Sequence, residues 1–325
     1  ALTGLTSIGG DLHIIENDAL VDMDGLPMLG SIGSSFLIGL NPLLTDLTAL
    51  TTLTGVGDTL VLFANDAIST VDGLDNVASV GGYLAFDTNP SLTDLTAMSG
   101  TDVGQGVDVI YNDILTNLDG LDGFTALTDD LEISGNPLLT DISALTNLTT
   151  LGDDLQITYN DILTNLDGLD NLSNAVDDIE IWDNPLLDDI TALSGLTEVG
   201  EDVEIYNNDA LLSFAGLENL NRIGRNLEII DHDLLNDIDA LLGLNKVGNQ
   251  IVITDNPQLV DCSAFIKKAR GGLAGGRVTI LWNGGSACEL EFIIPTLSQW
   301  GLIVLALGFM TLGTLQMIQP IEEKA

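Results

Sequence analysis

The sequence predicts an all-β fold, a parallel β-helix or β-solenoid of about eleven to twelve 24-residue coils, followed by a C-terminal apolar helix. Three observations predict it. An Asn slot recurs at positions 17, 41, 65, 89, 112, 136, 160, 184, 208, 232 and 256, a spacing of 24 with one step of 23, and only His232 departs from Asn. Apolar residues stand five and three places before each slot and at every third place after it, as Leu131, Ile133, Leu139, Ile142, Leu145, Leu148 and Leu151 do around Asn136. A period this strict marks stacked units, none of which buries its apolar face alone. The third observation is an uncharged run from Phe292 to Ile321, whose centre, Trp300 to Ile318, is as long as a bilayer-spanning helix.

Taken in order, the chain enters within a repeat: Leu2, Leu5 and Ile8 fill the slots that Leu26, Leu29 and Ile32 fill one period later. No leader precedes them, which reads as a processed or truncated chain. In each coil the two apolar residues before the slot alternate, as a strand with one buried face requires, and successive strands should lie parallel at about 4.8 Å. The spacing of three beyond the slot suits a backbone turning corners rather than a helix, whose stripe runs at three and four. Asn at the strand end is read as a turn residue whose side chain satisfies polar backbone groups, and His232 inherits that reading. A longer unit overlies the period. Asn-Asp coils continue into Asp-Gly-Leu, as at Asp167 to Leu169, and alternate with Asn-Pro coils that continue into Asp-(Leu/Ile)-(Thr/Ser)-Ala, as at Asp141 to Ala144. The repeat is therefore a pair of coils with differently shaped turns. Solenoid repeats are assigned to 1–256, a cap to 257–291 and the helical tail to 292–325. In the cap, Phe265 to Arg270 reads as a short helix and Arg277 to Asn283 as a last strand. Cys262 and Cys288 are expected to form a disulfide there, which implies an oxidising compartment.

Charge narrows the function classes. The chain has 49 Asp and Glu against 8 Lys and Arg, and no Lys or Arg precedes Arg222. Such a surface repels nucleic acid, so no nucleic-acid partner is expected. No enzyme is expected either: His13 and His232 are nine coils apart, and no metalloprotease, nucleophile-elbow or phosphate-loop pattern occurs.

Two outward columns of the strands distinguish one coil from another. Four residues before the slot the column runs from His13, Leu37, Val61 and Ala85 through Asp108, Glu132, Gln156, Glu180, Glu204 and Glu228 to Val252 and Thr279. Stacked carboxylates repel one another unless solvent, salt or cations screen them. They are read either as a solvated edge or as a calcium-binding face of Asp108, Glu132, Glu180, Glu204 and Glu228; no other cofactor is implied. Two residues before the slot stand Phe63, Ile110, Trp182 and Tyr206. With Leu37 and Val61 these form a candidate interface, to which Trp300, Leu305 and Phe309 of the tail would contribute from a second copy.

The phrase Leu-x-Ile-x-x-Asn, with Gly-Leu further on, resembles leucine-rich solenoids, and more closely the β-helical L domains of growth-factor receptors and their bacterial surface relatives. The likeness runs from Leu2 to about Asn283 and implies architecture rather than activity. The tail Ile294-Pro295-Thr296-Leu297-Ser298-Gln299-Trp300-Gly301, followed by its apolar stretch, looks like the IPTL-type C-terminal sorting signal of bacterial exported proteins. The resemblance implies a secreted or cell-surface bacterial protein. The expected function is a non-enzymatic structural protein or extracellular fibre, self-assembling through the apolar tail and the solenoid ends. Two alternatives stand beside it, a membrane-anchored recognition or adhesion module held through residues 300–318 and a calcium-dependent surface-layer component.

Overall fold

The computed structural model describes residues 2–293, and these form an all-β solenoid of mostly parallel strands. One four-residue strand from each period, starting with Leu12–Ile15, joins a sheet of thirteen strands, with the parallel pairs in register one period apart up to the cap, where Ile251 pairs with Val278. The alternation read from sequence sets this register: Leu131, Ile133, Leu155 and Ile157 all point inward and are fully buried.

Each coil also contributes structure where the sequence predicted only corners. A two-residue strand precedes each long one, as Thr150–Leu151 precedes Leu155–Thr158, and these short strands form sheets of five and six. The break between the two short sheets follows the one short period. The missing residue falls between Met98 and Val103, since Met98 and Leu145 both stand nine places after their slots but Val103 stands fourteen after Asn89 where Leu151 stands fifteen after Asn136. A third ladder consists of single bridges, such as Asn117 with Asp141 and Asn165 with Asp189. Leu, Ile, Val and Phe side chains from all three ladders meet in one buried cluster that runs from Met23 to Leu290.

The paired unit has a conformational basis. In the Asn-Pro coils, and in the coil of His232, the third side is a 3-10 turn, and the Asp before it accepts the N–H two residues on; Asp141 Oδ1 and Ser143 N are 2.8 Å apart. In the intervening coils a Gly with positive φ replaces that turn: Gly73, Gly120, Gly168 and Gly216. A Cβ on Gly168 would overlap the carbonyl oxygen of Ile142 in the preceding coil, so a glycine coil seats itself directly on a 3-10 coil.

The cap differs from its sequence reading at the end. The helix Ser263–Lys268 forms where a 3-10 turn would fall, with Asp261 serving its N-terminus as Asp141 does elsewhere. The strand Arg277–Leu281 is not the last. Leu290–Ile293 returns antiparallel along it and covers the edge of the long sheet, so Phe292 and Ile293 belong to a strand and not to a helical tail. Cys262 and Cys288 are joined by a disulfide, their Cα atoms 4.8 Å apart, which ties the start of the cap helix to the turn before this closing strand. The expected apolar helix of the tail, with Trp300, Leu305 and Phe309, falls outside the described residues. Among the described residues no helix is long and apolar enough to cross a membrane.

Candidate functional site

The Asn ladder is internal. Asn136 Oδ1 accepts the backbone N–H of Asn112 in the preceding coil at 3.1 Å, and its Nδ2 donates to the carbonyls of Val109 at 2.8 Å and Ser134 at 3.1 Å. The acceptor and the bond to the preceding coils repeat from Asn41 to Asn256, the bond to the carbonyl two residues back is made at Asn89, Asn112, Asn136, Asn160, Asn184 and Asn256, and these side chains are completely buried. The bond to the carbonyl two residues back spans the residue just before the slot, which takes a left-handed conformation in every period, with φ between 50° and 67°. Most of these residues are not glycine, and each costs roughly 1 kcal/mol that the amide bonds offset. At His232, Nδ1 accepts from Asn208 N at 3.1 Å and Nε2 faces the Ile205 carbonyl at 3.0 Å, so the ring reproduces both halves of an amide. Burial pushes its pKa down to about 4, and it stays neutral.

Outward from this core, the acidic column is in register: Asp108 pairs with Glu132, Glu180 with Glu204, and Glu204 with Glu228, with Gln156 between Glu132 and Glu180. These side chains are half-buried between their neighbours rather than free in solvent. Desolvation, reinforced by the adjacent carboxylates, raises Asp108 and Glu204 to about 7 and also raises Glu132 and Glu180. Tyr206 donates its hydroxyl to Glu228 at 2.8 Å, and the Trp182 indole donates to Glu180 at 3.3 Å. Two of the predicted interface aromatics therefore serve the acidic column.

The remaining interface candidates do not form one patch. Leu37 and Val61 are neighbours, and the ring of Phe63 occupies the space over Gly39. Asp87 separates Phe63 from Ile110, and Ser134 and Thr158 separate Ile110 from Trp182. The early coils thus keep a small apolar face of Leu37, Val61 and Phe63, all half-buried.

A second acidic line escaped the sequence reading. Six and seven residues before the slot stand the doublets Asp129-Asp130, Asp153-Asp154, Asp177-Asp178 and Glu201-Asp202. The inner member of each accepts the equivalent backbone N–H one coil on, with Asp178 Oδ1 at 2.6 Å from Asp202 N. The outer members face one another. Burial, then the Asp153 contact and the Glu201 charge, raises Asp177 to about 6. Arg225 closes the line by pairing with Glu201 and Asp202. Four groups along it, among them Asp153 with Asp154 and Asp177, and Asp154 with Asp178 and Glu180, bring ligand oxygens within 4.8 Å of one another. Oxygen donors of this kind suit a hard cation such as calcium. The signal lies in the sequence as an acidic doublet recurring at the coil period, outside the alternating positions that mark the strands.

Residues 294–310 match the IPTL-CTERM motif. The match supports a C-terminal sorting tail, and with it a destination at the cell surface or beyond. No curated protein matches the chain.

Proposed function

We propose that the chain is a non-enzymatic structural protein of the cell surface or of an extracellular fibre, a stiff spacer that assembles with copies of itself through its apolar tail. The observation that carries this reading is the unbroken Asn ladder, in which each coil supplies the acceptor for the coil before it from Asn17 to Asn283. Residues that recur at every period are spent on stacking, which is what a load-resisting rod needs. The non-enzymatic part draws support from His232, whose two ring nitrogens are both engaged and whose low pKa unsuits it to proton transfer near neutrality. Kinship with receptor-type L domains belongs to the same reading.

The closing strand Leu290–Ile293 shifts the weight of assembly from the solenoid ends to the tail, since at the C-terminal end it presents an antiparallel strand where a further coil needs a parallel edge. The test is deletion of 294–325, which leaves that strand whole. The full chain is expected to form filaments by electron microscopy and the deleted chain to be monomeric in sedimentation. Filaments that persist after the deletion, or a full chain found only as single copies in membrane, would defeat the assembly role. A calcium-dependent surface-layer component is the second reading, favoured by the four carboxylate groups. It requires the melting temperature to rise with millimolar calcium and to fall with chelator.

A further inference from the structure

Beside the Asn ladder the turn edge carries an open groove that neither the core nor the ladder uses. Tyr159, Pro185, Asp183, Asn207, Asp209 and Asp233 are among the residues lining its space of about 430 Å³, a size ordinary for clefts that bind small ligands. The left-handed backbone just before each slot places Tyr159, Asp183 and Asn207 side by side along the edge, one per coil. Asn207 Nδ2 donates to Asp183 Oδ1 at 2.8 Å, which fixes both heads in the groove.

The aromatic rings of this row are held but not covered. Tyr159 stands edge-on to Trp182, ring centroids 4.7 Å apart and planes at 78°, yet it remains 44% exposed. Two coils earlier, in the same row, the ring of Tyr111 fills the space that a side chain on Gly135 would occupy, and Tyr111 is 53% exposed. Each ring is therefore immobilised on the rod and keeps surface open to solvent. Two coil spacings put them about 10 Å apart along the axis.

Fixed, uncovered aromatic faces suit the C–H faces of sugar rings, and carboxylates with an amide beside them accept and donate hydrogen bonds to hydroxyls. The surrounding negative charge repels acidic polymers. We propose that this groove and the Tyr111–Tyr159 row bind a neutral polysaccharide lying along the rod. A lysine-bearing polypeptide would also answer the carboxylates, but it has no use for rings repeated along an axis. The proposal is independent of the tail, so it stands or falls apart from self-assembly.

The test is calorimetric titration of the full chain with soluble β-1,4-glucan, β-1,3-glucan, α-1,4-glucan and mannan oligosaccharides, in chelator, at low and high salt, with polylysine as a comparison. Saturable binding to at least one glycan is expected, insensitive to salt. Tyr159→Ala should weaken it about tenfold or more, and Tyr159→Phe, which keeps the ring, should retain it. Asp209→Asn should weaken it while leaving the unfolding temperature in place. The proposal is overturned if no glycan saturates the protein, if Tyr159→Ala binds as well as the parent, if binding needs added calcium, or if only polylysine binds and salt removes it.

Discussion

His232 replaces Asn in the buried ladder without breaking it, because a neutral imidazole with its proton on Nε2 offers an acceptor and a donor on opposite sides, as an amide does. A second proton would turn the Nδ1 acceptor towards the N–H of Asn208 as a donor. The unfolded chain takes up that proton near 6.5 and the folded chain only near 4. Between those values the unfolded state binds more protons, so stability falls as pH drops through the window, by a contribution on the order of 3 kcal/mol. Asp108 and Glu204 act with the opposite sign. Their folded pKa values lie above the unfolded ones, so the stability they contribute is fully present below about 4 and is lost as pH rises through about 7. His232→Asn separates the two effects: in urea unfolding the variant should gain on the parent as pH falls from about 6.5 to about 4, and an equal gap at both ends would contradict the titration described. The slots were legible because one residue type fills them. The left-handed row was not, since Thr88, Tyr111 and Tyr159 have no preference for positive φ and take it from the amide bond that spans them.

Among the elements, the two kinds of coil show how a turn can be dictated by its neighbour. Gly168 answers a carbonyl belonging to Ile142, 26 residues earlier, and no local rule predicts that approach. Gly168→Ala combines a positive φ with this overlap and should cost roughly 2 kcal/mol or more in denaturant unfolding. Gly271→Ala, in open space at the cap with no positive φ, is the matched control and should cost little. The alternation of Asp-Gly-Leu with Asp-Ile-Ser-Ala was plain in the sequence, but the short strands were not, because two residues are too few for alternation to show. The closing strand was hidden differently. Its second half, Phe292 and Ile293, opens the uncharged stretch, and hydropathy gave those two residues to the helix.

For the molecule as a whole, the described body has an acidic length and a stapled end. All the Lys and Arg residues lie from Arg222 onward, and three of them, Arg222, Arg225 and Arg277, pair with Glu198, with Glu201 and Asp202, and with Glu291. The staple closes a loop between residues 26 apart, so Cys288→Ser with Cys262→Ser should lower cap stability by about 3 kcal/mol. Early amide exchange at Arg277–Leu281 is the expected readout, with Leu131–Ser134 unaffected; uniform loss along the rod would mean that the cap and body melt as one. Overall architecture was legible because a period shared by every coil needs only counting. The groove at Tyr159 was not, because its residues come from successive periods and meet only when the coils are stacked. The fit of glycine coil on 3-10 coil has a further consequence. A chain that gains or loses a single period brings two like turns into contact, whereas one that gains a pair meets only the neighbours it already has. Reach therefore changes in steps of about 10 Å, and a lineage of such rods would keep length as a ruler does, in whole divisions.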